Sequence, residues 1–124
     1  MAIVGLDHAQ VAAPMRPGAE DEARAFYGEL LGLLEIEKPA ALKAKGGVWF
    51  SLGQGELHVG LEEQFQPARK AHPALLVSHL PAMRALLEAA GVHIAEAEAI
   101  LGVTRFYVYD PFGNRIELIE RTFV

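Results

Sequence analysis

The chain reads as one half written twice, and that repeat limits its folds more than any other feature. His8 sits in the apolar stretch Ile3-Val4-Gly5-Leu6-Asp7-His8-Ala9-Gln10-Val11, and His72 opens a similar one, His72-Pro73-Ala74-Leu75-Leu76-Val77. Each is followed by a helical pattern and then by short strand-like runs that reach a Glu-Leu pair, Glu56-Leu57 and Glu117-Leu118. The offsets nearly agree, 64 positions from His8 to His72 and 61 from Glu56 to Glu117. Two copies of a module, each giving one imidazole and one carboxylate, can set four metal-ligand groups around a pseudo-two-fold axis.

The element pattern is the same in both copies. Residues 3–12 are expected to form a strand, stopped by Pro14 and Pro17. From Glu20 to Leu31 the period changes: Ala23, Phe26, Tyr27, Leu30 and Leu31 make one apolar helical stripe. Glu20, Asp21 and Glu22 suit its positive N-terminal end, and Gly32 suits its stop. Strands are expected at 33–37, 47–52 and 56–61. In the second copy, 72–78 is expected as a strand, and Pro81 to Ala90 as a helix carrying Met83, Leu86, Leu87 and Ala90. A weaker strand at 92–95 follows, then a hairpin of 104–109 with 115–120 around Asp110-Pro111-Phe112-Gly113-Asn114. Each copy is therefore β-α-β-β-β. One copy alone leaves sheet edges and an apolar face uncovered, so the two form a single α+β domain over 1–124, with module 1 at about 1–61, a polar linker at 62–71 and module 2 at about 72–124.

Composition excludes several classes. A chain of 124 residues, 52% hydrophobic, can bury a core, yet no apolar run approaches the roughly 18 residues of a membrane span. There is no signal-peptide pattern at the start, so a cytoplasmic location without membrane attachment is expected. Absence of cysteine removes disulfides, thiolate nucleophiles and Cys-ligated zinc. A net charge of −5 argues against nucleic acid. No phosphate-binding glycine loop, Ser-His-Asp order or nucleophile elbow is present.

Strand alternation selects the side chains that share a face with the candidate ligands. Glu56 goes with His58, which competes with it as a ligand; His8 goes with Gln10; Glu117 goes with Arg115 and Ile119. Trp49 with Ser51, and Arg105 with Tyr107 and Tyr109, are candidates to line a small-molecule cavity. The Arg105 fork fits a carboxylate or phosphate. Glu117, in a run of Ile116, Leu118 and Ile119, needs a metal or a charged partner, an ordinary salt bridge to an arginine being the alternative. His79 and His93 stand outside the repeat and are read as structural.

Three motifs carry a family resemblance that spans nearly the whole chain: Leu6-Asp7-His8-Ala9-Gln10-Val11, Phe26-Tyr27-Gly28-Glu29-Leu30-Leu31-Gly32-Leu33, and Asp110-Pro111-Phe112-Gly113-Asn114-Arg115-Ile116-Glu117-Leu118. The chain resembles the vicinal oxygen chelate superfamily, which includes glyoxalase I, extradiol dioxygenases, methylmalonyl-CoA epimerase, fosfomycin-resistance thiol transferases and bleomycin-resistance proteins. The resemblance implies paired βαβββ modules in a cupped mixed sheet around a central cavity. It also implies a divalent ion (Zn, Ni, Fe, Mn or Co) held by His8, Glu56, His72 and Glu117, a set most similar to that of bacterial glyoxalase I. In that chemistry the metal polarises neighbouring oxygens and stabilises an enediolate, while a carboxylate, Glu117 or Glu56, moves the proton. The expected function is thus a metal-dependent lyase or isomerase acting on a small oxygen-rich molecule. A His8, His72, Glu117 set would instead suit dioxygenase or thiol-transfer chemistry. The alternative of another class is a metal-free drug- or metabolite-binding protein of the bleomycin-resistance type. A homodimer is expected, because paired modules leave sheet edges and relatives often complete cavities across two chains.

Overall fold

A computed structural model describes residues 1–122. The chain forms two compact units, Met1–Gln66 and Pro67–Val124, so the division falls inside the polar segment 62–71. Each unit carries a four-stranded mixed sheet, and the two sheets repeat one topology.

In the first unit β1 (His8–Pro14) lies parallel to β4 (Glu56–Glu62), and β4, β3 (Val48–Ser51) and β2 (Leu34–Ile36) continue as an antiparallel meander, in the order β1-β4-β3-β2. In the second unit β5 (Ala74–Leu76), β8 (Arg115–Arg121), β7 (Val103–Tyr109) and β6 (Ile94–Glu96) repeat that order as β5-β8-β7-β6. A parallel pair needs a crossover connection. Helix α1 (Ala19–Ala23), continued without a break by a π-helical segment (Arg24–Leu30), follows β1, and α2 (Leu80–Ala89) follows β5. Both units are therefore βαβββ, the expected α+β fold. Among the described residues, no helix is long and apolar enough to cross a membrane.

Parity places the cores where alternation predicts. Leu57 and Val59 of β4, Val48 and Phe50 of β3, and Ala23, Phe26 and Tyr27 of the helix are buried in the first unit. Phe106 and Val108 of β7, Ile116 and Leu118 of β8, and Leu80 and Leu87 of α2 are buried in the second. The helical stripe of the first unit turns out to run in π register, with the Leu31 N–H donating to the Phe26 carbonyl at 2.9 Å. Two bends of the chain demand glycine. Gly47 has φ 93°, and a Cβ there would lie 2.4 Å from the Val59 carbonyl oxygen; its N–H donates to Glu20 Oε2 at 2.7 Å. Gly113, at φ 92°, closes the turn between β7 and β8.

Two expectations are corrected. The first strand begins at His8 rather than residue 3, because its ladder partner begins at Glu56. The Glu56 N–H reaches the Asp7 carbonyl, and no strand pairs with residues 1–6. Ile3, Val4 and Leu6 are accordingly exposed, by 80% or more. In α2 the buried stripe runs through Leu80 and Leu87, with Met83 half-buried between them, and Leu86 faces outward. A 3-10 helix over Ala40–Lys45 was not legible in the sequence pattern.

Candidate functional site

Each unit builds one cluster of candidate ligands at the join of its parallel strand pair. In the first, the parallel register sets His8 opposite Glu56. The His8 Nδ1 lies 2.8 Å from Asp7 Oδ1. A carboxylate oxygen only accepts, so Nδ1 carries the hydrogen of this contact, and Nε2 takes no part in it. A carboxylate behind one imidazole nitrogen is the arrangement that fixes a metal-ligating histidine in the Nε2 mode. Asp7 is exposed, so the bond orients the ring more than it stabilises the fold.

His58 packs beside them. Its Nε2 lies 2.8 Å from Glu56 Oε1, and its ring is sandwiched between Trp49, at 3.7 Å and 3°, and His8, at 4.2 Å and 18°. The nitrogen facing the carboxylate carries the hydrogen that is donated to it. His58 thus contacts Glu56 and stacks against His8. Trp49 is half-buried as the outer member of the stack. Ser51 Oγ accepts the Gly53 N–H at 3.1 Å, so that hydroxyl shapes the turn before β4.

In the second unit His72 stands just before β5, with Nδ1 2.8 Å from the Lys70 carbonyl oxygen and Nε2 2.9 Å from Glu117 Oε1. A carbonyl also only accepts, so Nδ1 is again the protonated nitrogen. A bare Nε2 would then point its lone pair at a carboxylate oxygen, an unfavourable meeting unless a proton or a metal cation lies between them. In each unit the histidine has its Nδ1 against an acceptor.

Glu117 is buried, and its second oxygen, Oε2, accepts from Arg105 Nη1 at 3.3 Å. Arg105 also donates to the Tyr107 hydroxyl at 3.1 Å and the Glu98 carbonyl at 2.9 Å. Burial works against the Arg105 charge, but the bonds to Tyr107 and Glu117 outweigh it and hold its pKa above the ordinary value. The salt bridge thus uses one oxygen of the carboxylate, while the other faces His72. Tyr107 meets His72 edge-on at 5.3 Å. Tyr109 is half-buried beside His93, which stands apart from the cluster.

The sequence-selected residues therefore form two groups, His8, Glu56, His58 and Trp49 in one unit and His72, Glu117, Arg105 and Tyr107 in the other. Among the described residues no three His, Cys, Asp or Glu side chains meet in a metal-holding cluster. Sequence reasoning missed the partners Asp7 and the Lys70 carbonyl. Asp7 was visible as an acid beside His8, whereas a backbone acceptor leaves no trace in residue type.

Known structures agree with the repeat. A glyoxalase family protein structure from Bacillus anthracis is 50% identical, covers 97% of each chain and superposes with a TM-score of 0.91. A lactoylglutathione lyase from Agrobacterium tumefaciens shares 19% identity over 97% of this chain and 96% of that one, with a TM-score of 0.73. The fosfomycin resistance protein FosX from Listeria monocytogenes shares 18% over 94% and 90%, with a TM-score of 0.75. The latter two show the fold alone. No family sequence model and no curated protein matches the chain.

Proposed function

The chain belongs to the glyoxalase family of the vicinal oxygen chelate superfamily, and on that premise we propose that it is a metal-dependent enzyme acting on a small oxygen-rich molecule by lyase or isomerase chemistry. The observation that carries this reading is the matched state of the two histidines. His8 and His72 each set Nδ1 against an acceptor, and His72 Nε2 faces Glu117 Oε1 at 2.9 Å. Two imidazoles with two carboxylates suit Zn²⁺, Ni²⁺, Fe²⁺, Mn²⁺ or Co²⁺. His8, Glu56, His72 and Glu117 would hold the ion, which supplies polarisation of neighbouring substrate oxygens.

The remaining work falls to the chain's own groups. Glu117 and Glu56 are the carboxylates able to take and return a proton. Glu117 is the drier and Glu56 the better solvated, half-buried beside His58. His58 holds Glu56 in one orientation through Nε2, and Arg105 does the same for Glu117, leaving one oxygen of each carboxylate for a ligand or a proton. Trp49, Tyr107 and Tyr109 supply apolar area with polar tips for the body of a substrate.

A second reading, a metal-free binding protein of the bleomycin-resistance type, draws support from the Arg105–Glu117 pair, which offsets the buried charge without any ion. Metal analysis of untagged protein purified without chelator separates the two. Near-stoichiometric divalent metal is expected; none bound, even after reconstitution with Zn²⁺, Ni²⁺ and Mn²⁺, would leave the binder.

The working form is proposed to be a cytoplasmic homodimer. β1 is the last strand of its sheet, and the segment before it exposes Ile3, Val4 and Leu6, apolar area that a second copy could cover. Sedimentation at tens of micromolar is expected to give twice the chain mass, and a single-chain mass would overturn the assignment.

A further inference from the structure

We infer that Arg115 is the docking point for an oxyanion of the ligand, a carboxylate or a phosphate, beside the Glu117 cluster. The inference deepens the small-molecule reading above by naming a charged group of the ligand, and it does not depend on the metal.

The argument starts from one face of the second sheet. Arg105, Tyr107 and Tyr109 alternate along β7, and Arg115 and Glu117 lie two apart on β8, with Tyr107 opposite Glu117 and Tyr109 opposite Arg115. This face holds two guanidinium groups and one carboxylate. Arg105 pairs with Glu117 and donates to the Tyr107 hydroxyl and the Glu98 carbonyl, only its Nε being buried without a partner. Arg115 has no counterpart: among the described residues it makes no ion pair and no hydrogen bond, and its buried Nε is without a partner. Its guanidinium lies over the Tyr107 ring, whose centroid is 4.7 Å from the guanidinium carbon.

Holding a half-buried guanidinium unpaired costs free energy, since its buried Nε has lost water and gained no partner. The contact with Tyr107 offsets part of that cost and restrains the side chain, so less freedom is lost when an anion arrives. An arginine fork then matches two oxygens of a carboxylate or phosphate. Position suits the role as well. Two residues along a strand span roughly 7 Å, so an anion on Arg115 sets the neighbouring atoms of a small molecule within reach of Glu117. Arg105 neutralises Glu117 and so reduces the repulsion that an incoming anion would meet. A macromolecular polyanion fits poorly, because the chain carries a net charge of −5 and this face offers one free cation among the described residues.

The test is an amide-shift NMR titration of the full chain, stripped of metal by chelator, with inorganic phosphate and separately with acetate at constant ionic strength. Saturable shifts around Arg115, Tyr107 and Glu117 are expected with at least one of them. A response to phosphate alone assigns the phosphate class, to acetate alone the carboxylate class, and to both the shared oxyanion chemistry. R115M is expected to weaken binding at least tenfold. R115K, which keeps the charge but loses the fork, is expected to weaken it several-fold and serves if R115M does not fold. No saturable shift with either anion, or wild-type binding by R115M or R115K, would overturn the inference. Zn²⁺ affinity, measured in parallel, is expected to be unchanged in R115M. Loss of metal binding with oxyanion binding intact would remove the metal-dependent reading and leave this one standing, and the reverse outcome would do the opposite.

Discussion

Replacing Glu117 by Gln is expected to lower affinity for Zn²⁺, Ni²⁺ and Mn²⁺ at least tenfold in calorimetric titration, the lower end of the effect of disturbing even the outer partners of a metal site. Glutamine keeps the length and shape of the side chain and removes the charge that would offset a divalent ion. His8→Ala is expected to behave similarly, because it deletes an Nε2 ligand whose ring Asp7 orients. His93→Ala is expected to leave metal binding intact, since that ring sits beside Tyr109, away from the cluster. The Glu117→Gln variant also gives up the charged partner of Arg105, with a stability cost of about 1–3 kcal/mol. Titration well below the variant's melting temperature keeps the two effects apart. Equal affinities of wild type and Glu117→Gln would make this glutamate a structural partner of Arg105 and remove the main support for the enzymatic reading.

That experiment is needed because the sequence specifies the scaffold better than the chemistry. Strand parity is a local property with a period of two, so it set Arg105, Tyr107 and Tyr109 on one face of their strand, and in the structure Phe106 and Val108 between them are buried. The repeat likewise foretold the β-α-β-β-β element order of both units. Strand ends were less legible: the apolar Ile3, Val4 and Leu6 read as strand, but a strand extends only as far as its partner, and β4 starts at Glu56. The π register of Arg24–Leu30 escaped as well, because the apolar spacing that suits an α-helix survives in it. At the site, residue type brought His8, Glu56, His72 and Glu117 forward. What holds them is less regular: a neighbouring acid at Asp7, a carbonyl at Lys70, and a ring stack that sets His58 against Glu56. Such partners depend on angles and on main-chain atoms, which leave no pattern along a sequence.

The turn that delivers β8 to the site is where a single substitution should cost most in stability. Asp110 is buried, and its Oδ1 accepts the N–H groups of Phe112 and Asn114 at 2.9 and 2.8 Å, while Oδ2 accepts from Asn114 Nδ2 at 2.8 Å. The backbone closes the same loop, with the Asp110 N–H on the Asn114 carbonyl and the Gly113 N–H on the Asp110 carbonyl, both at 3.0 Å. Asp110→Ala strands three donors in a dry setting, each costing about 1–3 kcal/mol when left unpaired. Partial relaxation and shared loss bring the expected destabilisation to about 4 kcal/mol, a fall in melting temperature of about 15 °C for a domain of this length. Asp110→Asn keeps an oxygen for the two backbone donors and loses only the Asn114 side-chain bond, so about half that loss is expected. The turn also fixes the register that sets Tyr109 opposite Arg115 and Tyr107 opposite Glu117. Asp110→Ala is therefore expected to weaken metal binding as well, in protein that is still folded, without touching any ligand. Melting within 3 °C of wild type, roughly what a surface substitution gives, would mean that the backbone bonds and Gly113 hold the turn unaided.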